Sequence, residues 1–352
     1  MSSQENKQSK SGLRRVTMKD VAEHCGVSLS TVSLVLSGDQ RIPPDTTQRV
    51  LEVVKALGYR PNLIARNLAK QRSRTLGVVL PDLGAVVDHS FFTEALKGVY
   101  SETSRQGYRL LLEIATPQFL SRRFYLRLLK ENSVDGIVYL GTTLKDDFLR
   151  EIEPYQYPFL MVGGYLDDAQ LSYVAVDNEA GAHMATKHLI DLGHRRIGHI
   201  AGSAAVSSAR DRLRGYRRAL EEAGIPFEPT LVVDGHYKAD VAQEVCRGLL
   251  ANKVTAVYAG SDWMASGAFR AIKEAGLRIP QDVSVIGSGD LDLARLVEPP
   301  LTTVKYDISM VAADGTRRII QQIESGEPPA VFQEKYPVQL MVRQSSSPPK
   351  NV

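Results

Sequence analysis

The sequence has few of the features that mark secreted or membrane-spanning proteins. Its 352 residues include two cysteines, Cys25 and Cys246, which fall in different predicted helices and domains, and this excludes a disulfide framework. There is no apolar run long enough to span a bilayer, and residues 1–10 lack the apolar core of a secretion signal. We therefore expect a cytoplasmic protein with reduced cysteines.

The motifs of common enzyme classes are also missing. The chain has no Gly-x-Ser-x-Gly elbow, no P-loop and no pair of carboxylates that can be placed for acid–base catalysis. His183, His188, His194 and His199 are five, six and five residues apart, so no pair has the i, i+4 spacing of a zinc-binding helix. We expect no enzymatic activity, no cofactor and no metal site.

Positive charge is concentrated at the N-terminal end of the chain. Residues 1–75 contain thirteen Lys and Arg against six Asp and Glu, a net charge of +7. The remaining residues contain thirty against thirty-four, a net charge of −4. A basic segment on a slightly acidic body is typical of nucleic-acid binding, because phosphates attract it whatever the base sequence.

Two short helices joined by a tight turn are predicted within residues 17–37. Gly26 permits the left-handed backbone that ends the first helix, and Ser28 is a natural N-cap for the second. Small polar residues on the second helix suit contact with phosphates and base edges, so the pattern predicts a DNA-binding helix-turn-helix rather than a generic helical hairpin. The apolar positions recur at helical spacing in both segments: Val21, Ala22, Cys25, Val32, Val35 and Leu36.

The rest of the chain is predicted to form a third helix, a short helical linker and an α/β body. We expect the third helix to begin near Asp45 and to end at Gly58, whereas residues 62–70 form a segment too short to be a stable helix alone. Beyond it, apolar strands alternate with helices in two similar halves that meet near residues 168–172, which predicts parallel sheets with a ligand cleft between them. The predicted strands are 76–80, 110–114, 136–140, 159–162, 173–176, 197–201, 255–259 and 283–286.

From about Val16 to about Arg343 the chain resembles the LacI (lactose-repressor) family of bacterial transcription regulators. Four separated motifs carry the resemblance: Asp-Val-Ala-x-x-x-Gly-Val-Ser at 20–28, Gly-Tyr-x-Pro-Asn at 58–62, Leu-Gly-His-Arg-Arg-Ile-Gly at 192–198 and Pro-Pro-Leu-Thr-Thr-Val at 299–304. It implies a repressor that binds a pseudo-palindromic operator as a homodimer. It also implies an α/β fold with a small all-α head, a hinge helix and two Rossmann-like subdomains resembling a periplasmic binding protein.

The resemblance and the strand pattern together predict the domain boundaries. The segments are a polar arm at 1–15, a helix-turn-helix domain at 16–60, a hinge-helix linker at 61–73, a core N-subdomain at 74–173 plus about 303–331, a core C-subdomain at 174–302 plus about 332–343, and a tail at 344–352. The tail has no heptad leucines, which argues against a helical tetramerisation bundle.

Residues that contact DNA are assigned by the resemblance to the second helix and the hinge. Leu34 departs from many members, which carry Arg there, and Leu68 is the residue that wedges into the central minor-groove step. The implied base contacts are Leu29, Ser30, Leu34, Ala65 and Leu68. The implied backbone contacts are Thr17, Ser28, Thr31, Ser33, Arg41, Asn62 and Arg66.

The resemblance also places a small effector in the cleft. Aromatic rings with an arginine and a carboxylate suit a sugar or a related metabolite. The sequence departs from the family at Gly289, where many members have the first of two aspartates, and at Ser261, which replaces a frequent asparagine. The implied effector contacts are Phe91, Arg212, Tyr237, Trp263 and Asp290.

The sequence leaves other modes of control open. The same DNA-binding regulator could respond to a protein corepressor instead of a metabolite, and a cytoplasmic sugar-binding module with an incidental N-terminus is a third reading. The leading interpretation has operator DNA, a small effector and a second copy of the chain as partners, and no membrane. The identity of the effector and the direction of its effect stay open.

Overall fold

The computed structural model of the chain describes residues 16–36, 39, 41–59, 72–82 and 90–350. They belong to two compact units, and the division falls between Ser73 and Arg74. The smaller unit is helical, and the larger unit contains two β-sheets covered by helices. In the described residues, no helix is both long and apolar enough to cross a membrane.

The smaller unit contains α1 (Met18–Cys25), α2 (Leu29–Leu36) and α3 (Pro44–Ala56). Thr17 caps α1 in a reciprocal arrangement, because its hydroxyl accepts from the Asp20 amide at 3.3 Å while the Asp20 carboxylate accepts from the Thr17 amide at 2.7 Å. Gly26 ends α1 at φ 61°, in the left-handed region. The predicted helix, turn and second helix are all present.

These three helices share one small apolar core. α3 begins at Pro44, slightly earlier than the predicted start near Asp45, because proline needs no hydrogen-bonded amide in the first turn of a helix. It ends at Ala56, before the predicted end at Gly58. The buried residues of the core are Val21, Ala22, Cys25, Val32, Val35, Val50 and Tyr59.

The larger unit alternates strands and helices along most of its length. Its strands are β1 (Thr75–Pro81), β2 (Arg109–Ala115), β3 (Gly136–Leu140), β4 (Phe159–Val162), β5 (Ser172–Val176), β6 (Ile197–Ala201), β7 (Val232–Asp234), β8 (Ala256–Ala259), β9 (Ser284–Gly289), β10 (Thr302–Lys305), β11 (Gln333–Tyr336) and β12 (Gln339–Met341). Its α-helices are α4 (Ser90–Arg105), α5 (Pro117–Ser121), α6 (Phe124–Lys130), α7 (Asn178–Asp191), α8 (Ser207–Glu222), α9 (Ala239–Ala251), α10 (Asp262–Glu274), α11 (Asp292–Leu296) and α12 (Ile308–Ser325). The described residues of this unit also form two 3₁₀ segments, Leu144–Tyr155 and Pro229–Leu231.

Two six-stranded sheets organise this unit. The first has the order β11-β5-β4-β3-β1-β2 and the second β12-β10-β9-β8-β6-β7. Neighbouring strands are parallel except for β10 and β12, which run antiparallel. Strands such as β3 and β4 are buried along their whole length, as expected for parallel strands covered on both faces.

The strand pairing corrects the predicted subdomain boundaries. β5 pairs with β4 and β11 pairs with β5, so both lie in the first sheet, whereas β10 pairs with β9 in the second. The predicted boundary at 173/174 therefore falls inside β5, and the later boundaries shift by a few residues. Hydrogen bonding across the sheet decides this placement, and the apolar pattern of a strand does not show which sheet it joins. The chain passes between the subdomains three times, near residues 177, 306–307 and 337–338.

The segment predicted as a tail is packed onto the second sheet. Ser345 is fully buried, and its hydroxyl donates to the Val285 carbonyl at 2.6 Å and accepts from the Thr302 amide at 2.8 Å. The Ser347 amide donates to the Ser284 hydroxyl at 3.0 Å. Residues 345–347 therefore belong to the C-subdomain, because their polar groups complete hydrogen bonds at the amino-terminal ends of β9 and β10.

Candidate DNA-binding and effector sites

The outer face of α2 carries the exposed side chains of the predicted recognition helix. Leu29, Ser30 and Ser33 are exposed, and Leu29 is 50% exposed although it is a large apolar residue. Val32, on the inner face, is fully buried. Leu34 is half-buried, so only part of its side chain faces outward. An exposed leucine at the start of a helix is available for apolar contact with a partner.

Hydroxyl groups cluster at the start of α2. The Ser28 hydroxyl accepts from the Thr31 amide at 3.1 Å and lies 2.7 Å from the Ser30 hydroxyl and 2.8 Å from the Thr31 hydroxyl. Ser28 thus caps α2, as Thr17 caps α1. Helix N-termini that present amides and hydroxyls are suited to contact phosphate groups.

Arg41 is held by an acidic neighbour. Its guanidinium donates to both oxygens of Asp39, with Nε–Oδ1 at 2.9 Å and Nη2–Oδ2 at 2.6 Å. The hydrogen bonds from Arg41 lower the pKa of Asp39 to about 2. A phosphate contact by Arg41 therefore has to compete with this carboxylate. The predicted contacts Asn62, Ala65, Arg66 and Leu68 lie outside the described residues.

Phe91 stands at the carboxyl ends of the strands in the first sheet. It lies in the first turn of α4, and its ring packs edge-on against Phe92 with centroids 5.1 Å apart. A Cβ on Gly163, just after β4, would lie 2.2 Å from the Phe91 ring. Glycine at 163 is therefore required for the ring to occupy this position.

Arg212 and Tyr237 meet at the corresponding end of the second sheet. Arg212, on α8, is only 6% exposed, and its Nη1 donates to the Tyr237 hydroxyl at 3.3 Å. The Tyr237 ring covers Gly202, where a Cβ would lie 2.2 Å away from it. Gly202 follows β6 and Gly260 follows β8. Arg212 and Tyr237 therefore lie over the carboxyl ends of these strands, where ligands bind in such folds.

Asp290 is less available than the sequence implies. Its carboxylate is almost completely buried and pairs with Arg343 and, at 3.2 Å, with Arg295. Trp263 is 44% exposed at the start of α10. Ser261 caps that helix, because its hydroxyl accepts from the Met264 amide at 3.2 Å.

Asp262 is a buried acid that sequence reasoning missed. Its carboxylate accepts from the Thr303 hydroxyl at 2.6 Å and from the Leu291 amide at 2.8 Å. Burial raises the pKa of this carboxyl to about 6, although the two hydrogen bonds oppose the shift. A Cβ on Gly289 would lie 3.2 Å from the Asp262 carboxylate, so glycine at 289 leaves room beside it. The sequence signal available was an aspartate three residues after the end of the buried strand β8.

The two subdomains of the larger unit are joined by a polar junction that the sequence did not reveal. The Tyr165 hydroxyl, from the loop after β4, donates to Asp211 on α8 at 2.7 Å. The Tyr165 amide donates to the Ser207 hydroxyl at 3.2 Å, and Arg210 pairs with Asp167 at 2.7 Å. Asp211 lies in an arginine-rich helix, so the sequence alone suggests a solvent-exposed carboxylate. Only the folded structure shows that the Asp211 side chain is buried.

A surface cavity of about 330 Å³ lies on the same loop, away from the predicted effector residues. None of the predicted effector residues lines this cavity. Two stacked tyrosines line it instead, with ring centroids 5.1 Å apart. Its lining residues are Tyr165, Leu166, Asp167, Asp168, Ala169, Gln170, Tyr173 and Gln333.

The four histidines have separate surroundings. His183 contacts Glu222 at 2.6 Å, His188 contacts Ser346 at 3.1 Å and His194 contacts Thr255 at 2.9 Å. His199 is fully buried between two tyrosine rings, and burial lowers its pKa to about 4. Within the described ranges, no three His, Cys, Asp or Glu residues are grouped so as to hold a metal ion.

Two family models match the chain. Residues 17–62 match bacterial regulatory proteins of the lacI family, and residues 186–346 match a periplasmic binding protein-like domain. The first range contains α1, α2 and α3, and the second contains most of the C-subdomain together with α12 and β11 of the N-subdomain.

Curated relatives and solved structures extend the match over nearly the whole chain. The ribose operon repressor of Halalkalibacterium halodurans is 33% identical over 95% of this chain and 98% of its own length. The catabolite control protein A of Priestia megaterium is 32% identical over 84% of this chain and 90% of its own.

Among solved structures, the lac repressor dimer bound to operator and the anti-inducer ONPF superposes with a TM-score of 0.82 at 27% identity, over 95% of this chain and 100% of that one. The complex of the transcriptional regulator CelR with cellobiose gives a TM-score of 0.71 at 32% identity, over 94% and 100%. The described fold, the helix-turn-helix and these relatives agree, and the chain belongs to the LacI family of DNA-binding transcriptional regulators.

Proposed function

We propose that the protein represses transcription by binding a pseudo-palindromic operator as a homodimer, with α2 of each copy in a major groove. The observation that carries this proposal is the division of α2 into a buried face with Val32 and Val35 and an exposed face with Leu29, Ser30 and Ser33. Two half-sites at fixed spacing supply the specificity that one short helix lacks. The relatives support it, since several are named repressors and one structure is a dimer on its operator.

In this proposal, Leu29, Ser30 and Leu34 contact base edges. Leu29 and Leu34 offer only apolar contact, such as with a thymine methyl. We therefore expect them to select different bases from those that an arginine at the same position would select. The side chains at the starts of α1 and α2 and in the following loop hold the phosphates and set the register. These backbone contacts are Thr17, Ser28, Thr31, Ser33 and Arg41.

The hinge residues complete the proposed interface. Leu68 enters the central minor-groove step and Ala65 approaches the groove floor, while Asn62 and Arg66 contact the backbone. Inserting an apolar side chain between base pairs requires a few kcal/mol of unstacking, which the wider contact with bent DNA offsets.

A small effector in the cleft between the subdomains controls DNA binding in this proposal. Phe91 contributes from the N-subdomain, and Arg212, Tyr237 and Trp263 contribute from the C-subdomain, whereas Asp290 can join them only when its ion pairs with Arg343 and Arg295 open. A ligand that binds one relative arrangement of the subdomains better than another shifts the population toward it. The junction of Tyr165 with Asp211 has to change if the subdomains move.

Replacing Leu29 tests the proposed contact face. We expect Leu29→Ala to weaken binding of the dimer to the operator roughly thirtyfold, because it removes one apolar base contact of about 1 kcal/mol from each half-site. Leu51→Ala is the matched control, since Leu51 is another exposed leucine of the same unit, 45% exposed, but lies on α3. Mobility shifts on the same operator fragment measure both, and an equal loss for the two variants would overturn the assignment of α2.

A further inference from the structure

One face of α8 holds the C-subdomain against a loop of the N-subdomain. Four polar side chains at helical positions i, i+3, i+4 and i+7 lie on this face, and each of them bonds to the loop that follows β4. The contacts therefore come from successive turns of one helix and engage the loop together. The four side chains are Ser207, Arg210, Asp211 and Arg214.

The two subdomains approach closely at this junction. A Cβ on Gly164 would lie 2.9 Å from the Ser207 hydroxyl oxygen and 3.0 Å from the Thr142 Cβ, so the loop needs glycine at this position. Thr143, in the loop after β3, forms an isolated antiparallel bridge with Val206 just before α8. Two loops of the N-subdomain are thus packed directly against the start of the helix.

Asp211 is the buried charge of the junction. Its side chain is 1% exposed, and its Oδ1 accepts from the Tyr165 hydroxyl at 2.7 Å and from Arg214. The Lys335 ammonium lies 3.6 Å from its Oδ2. A buried carboxylate is unfavourable unless opposite charge and hydrogen bonds compensate it. Of these partners, Tyr165 and Lys335 belong to the N-subdomain, so Asp211 keeps all of them only while the subdomains are in contact here.

Lys335 links the other members of this group. Its ammonium lies 4.9 Å from the centroid of the Tyr165 ring as well as close to the Asp211 carboxylate. Lys335 is on β11 and Tyr165 follows β4, so two separate elements of the N-subdomain meet one carboxylate on α8. The removal of one member therefore weakens the contacts of the others.

We propose that Asp211, Tyr165 and Lys335 form a latch between the subdomains. The latch holds the arrangement seen here, called closed below, and sets how often the ligand-free protein leaves it. When the latch opens, water solvates the Asp211 carboxylate, which lets an open arrangement compete with the closed one. The inference deepens the proposed function and rests on it for one consequence, which is that an effector in the cleft acts by keeping or breaking this latch.

Hydrogen exchange of the ligand-free, full-length protein tests the latch at the junction itself. The Tyr165 amide donates across the junction to the Ser207 hydroxyl at 3.2 Å, so its exchange reports opening. We expect Tyr165→Phe to speed exchange of this amide about tenfold or more, because a hydrogen bond to a buried carboxylate is lost. In an Asp211→Asn background the same change should speed it about threefold or less, since the buried charge is absent. Equal acceleration in both backgrounds would contradict the proposal.

A distance between the subdomains distinguishes opening of the latch from local movement of the loop. Gln118 and Asp240 are exposed near the starts of α5 and α9, which follow the edge strands β2 and β7. The chain passes between the subdomains at or beside the opposite edges of both sheets, so these positions separate when the subdomains move apart. Spin labels on Gln118→Cys and Asp240→Cys report the separation by pulsed EPR, because the native Cys25 and Cys246 are buried. Labelled protein is mixed with excess unlabelled protein so that distances within one chain dominate.

The latch variants should change this distance. We expect one main distance for the unmodified protein, and an added population at a longer distance for Tyr165→Phe and for Lys335→Met. Tyr173→Phe is the matched control, because Tyr173 stacks on Tyr165 but the hydroxyl that bonds to Asp211 is that of Tyr165. The same distance distribution in all four proteins, or an equal change in the control, would overturn the proposal.

Operator binding separates this inference from the proposed function. Exchange of the β8 amides, inside the second sheet, should be unchanged in every variant, which shows that the variants are folded. If the protein binds no specific DNA while the latch variants open as expected, the proposed function fails and the latch stands. If operator binding is specific and the variants show neither faster exchange nor a longer distance, the latch alone fails.

Discussion

At the level of residues, the C-subdomain contains ionisable side chains whose burial is compensated in different ways. Asp262 accepts two hydrogen bonds, and its pKa rises to about 6. His199 stays neutral, with Nδ1 donating to the Tyr258 carbonyl at 3.0 Å and Nε2 left without a partner in the described structure. Arg212 retains its charge beside a tyrosine hydroxyl. Among these three, Arg212 is the residue that the proposed function places in contact with the effector.

His199 gives a pH-dependent contribution to stability. The unfolded imidazole takes up a proton near its ordinary pKa of 6.5, whereas the folded one does so only near 4. Its contribution is therefore fully present above about pH 6.5 and is lost as the pH falls toward 4. We expect the unmodified protein to lose about 2 kcal/mol relative to His199→Phe between about pH 7.5 and about pH 5, measured by urea unfolding.

Comparing the unmodified protein with His199→Phe at each pH cancels the contributions to the free energy of unfolding that the two proteins share. Asp262 acts in the opposite direction, because a raised carboxyl pKa stabilises the fold as the pH falls toward 4. Curves for the two proteins that stay parallel through this range would show that the folded His199 titrates normally.

At the level of elements, the turn of the helix-turn-helix depends on one glycine. Gly26 has φ 61°, and nothing lies within 4 Å of the position that a Cβ would occupy. A side chain there is therefore opposed by backbone conformation alone. Gly248 lies inside α9 with equally open space and without a positive φ, so it provides a matched comparison.

The two glycines should respond to alanine in opposite directions. We expect Gly26→Ala to destabilise the smaller unit by about 1 kcal/mol, because an L-residue in the left-handed region is strained. Gly248→Ala should stabilise the larger unit by up to about 1 kcal/mol, because alanine favours the helix. Hydrogen exchange of amides in α1 and α9 measures each effect separately, and shifts of the same sign would contradict this account.

Elements with a strong periodic pattern were predictable, and elements defined by their partners were not. The eight strands predicted from apolar runs are all present, with bounds within three residues of those observed. β11 was missed because its residues, Gln333 to Tyr336, are mostly exposed and polar, and only pairing with β5 makes them a strand. β7 and β12 have three residues each, too short for a periodic signal.

The sites show the same limit. Exposure of Leu29 and Ser30 follows from helical periodicity, which the sequence contains. The pairing of Asp290 with Arg343 joins residues far apart in the chain, and no local pattern indicates that this carboxylate is already engaged. Asp211 and Tyr165 likewise meet only through the packing of two subdomains.

At the level of the whole molecule, the two subdomains are connected by three passages of the chain, near residues 177, 306–307 and 337–338. Each passage is short, and the Tyr165–Asp211 contact adds a fourth connection through side chains. In the proposed function, an effector that contacts Arg212 acts on the same helix, α8, that carries Asp211. We therefore expect effector binding in the cleft and the arrangement of the subdomains to be coupled through α8.

The distribution of charge suits this division of work. The net charge of +7 on residues 1–75 attracts DNA, and the net charge of −4 on the rest limits non-specific contact by the ligand-binding body. Specific binding then depends on the helix face and the proposed hinge contacts.

Selection of bound sequences from a random DNA pool by the full-length protein, repeated with Leu68→Ala, tests the central claim most directly. The account predicts an inverted repeat with a fixed centre, and a variant that binds this repeat roughly tenfold or more weakly because the central wedge is lost. Binding that is independent of sequence, and that salt weakens equally for both proteins, would contradict the account.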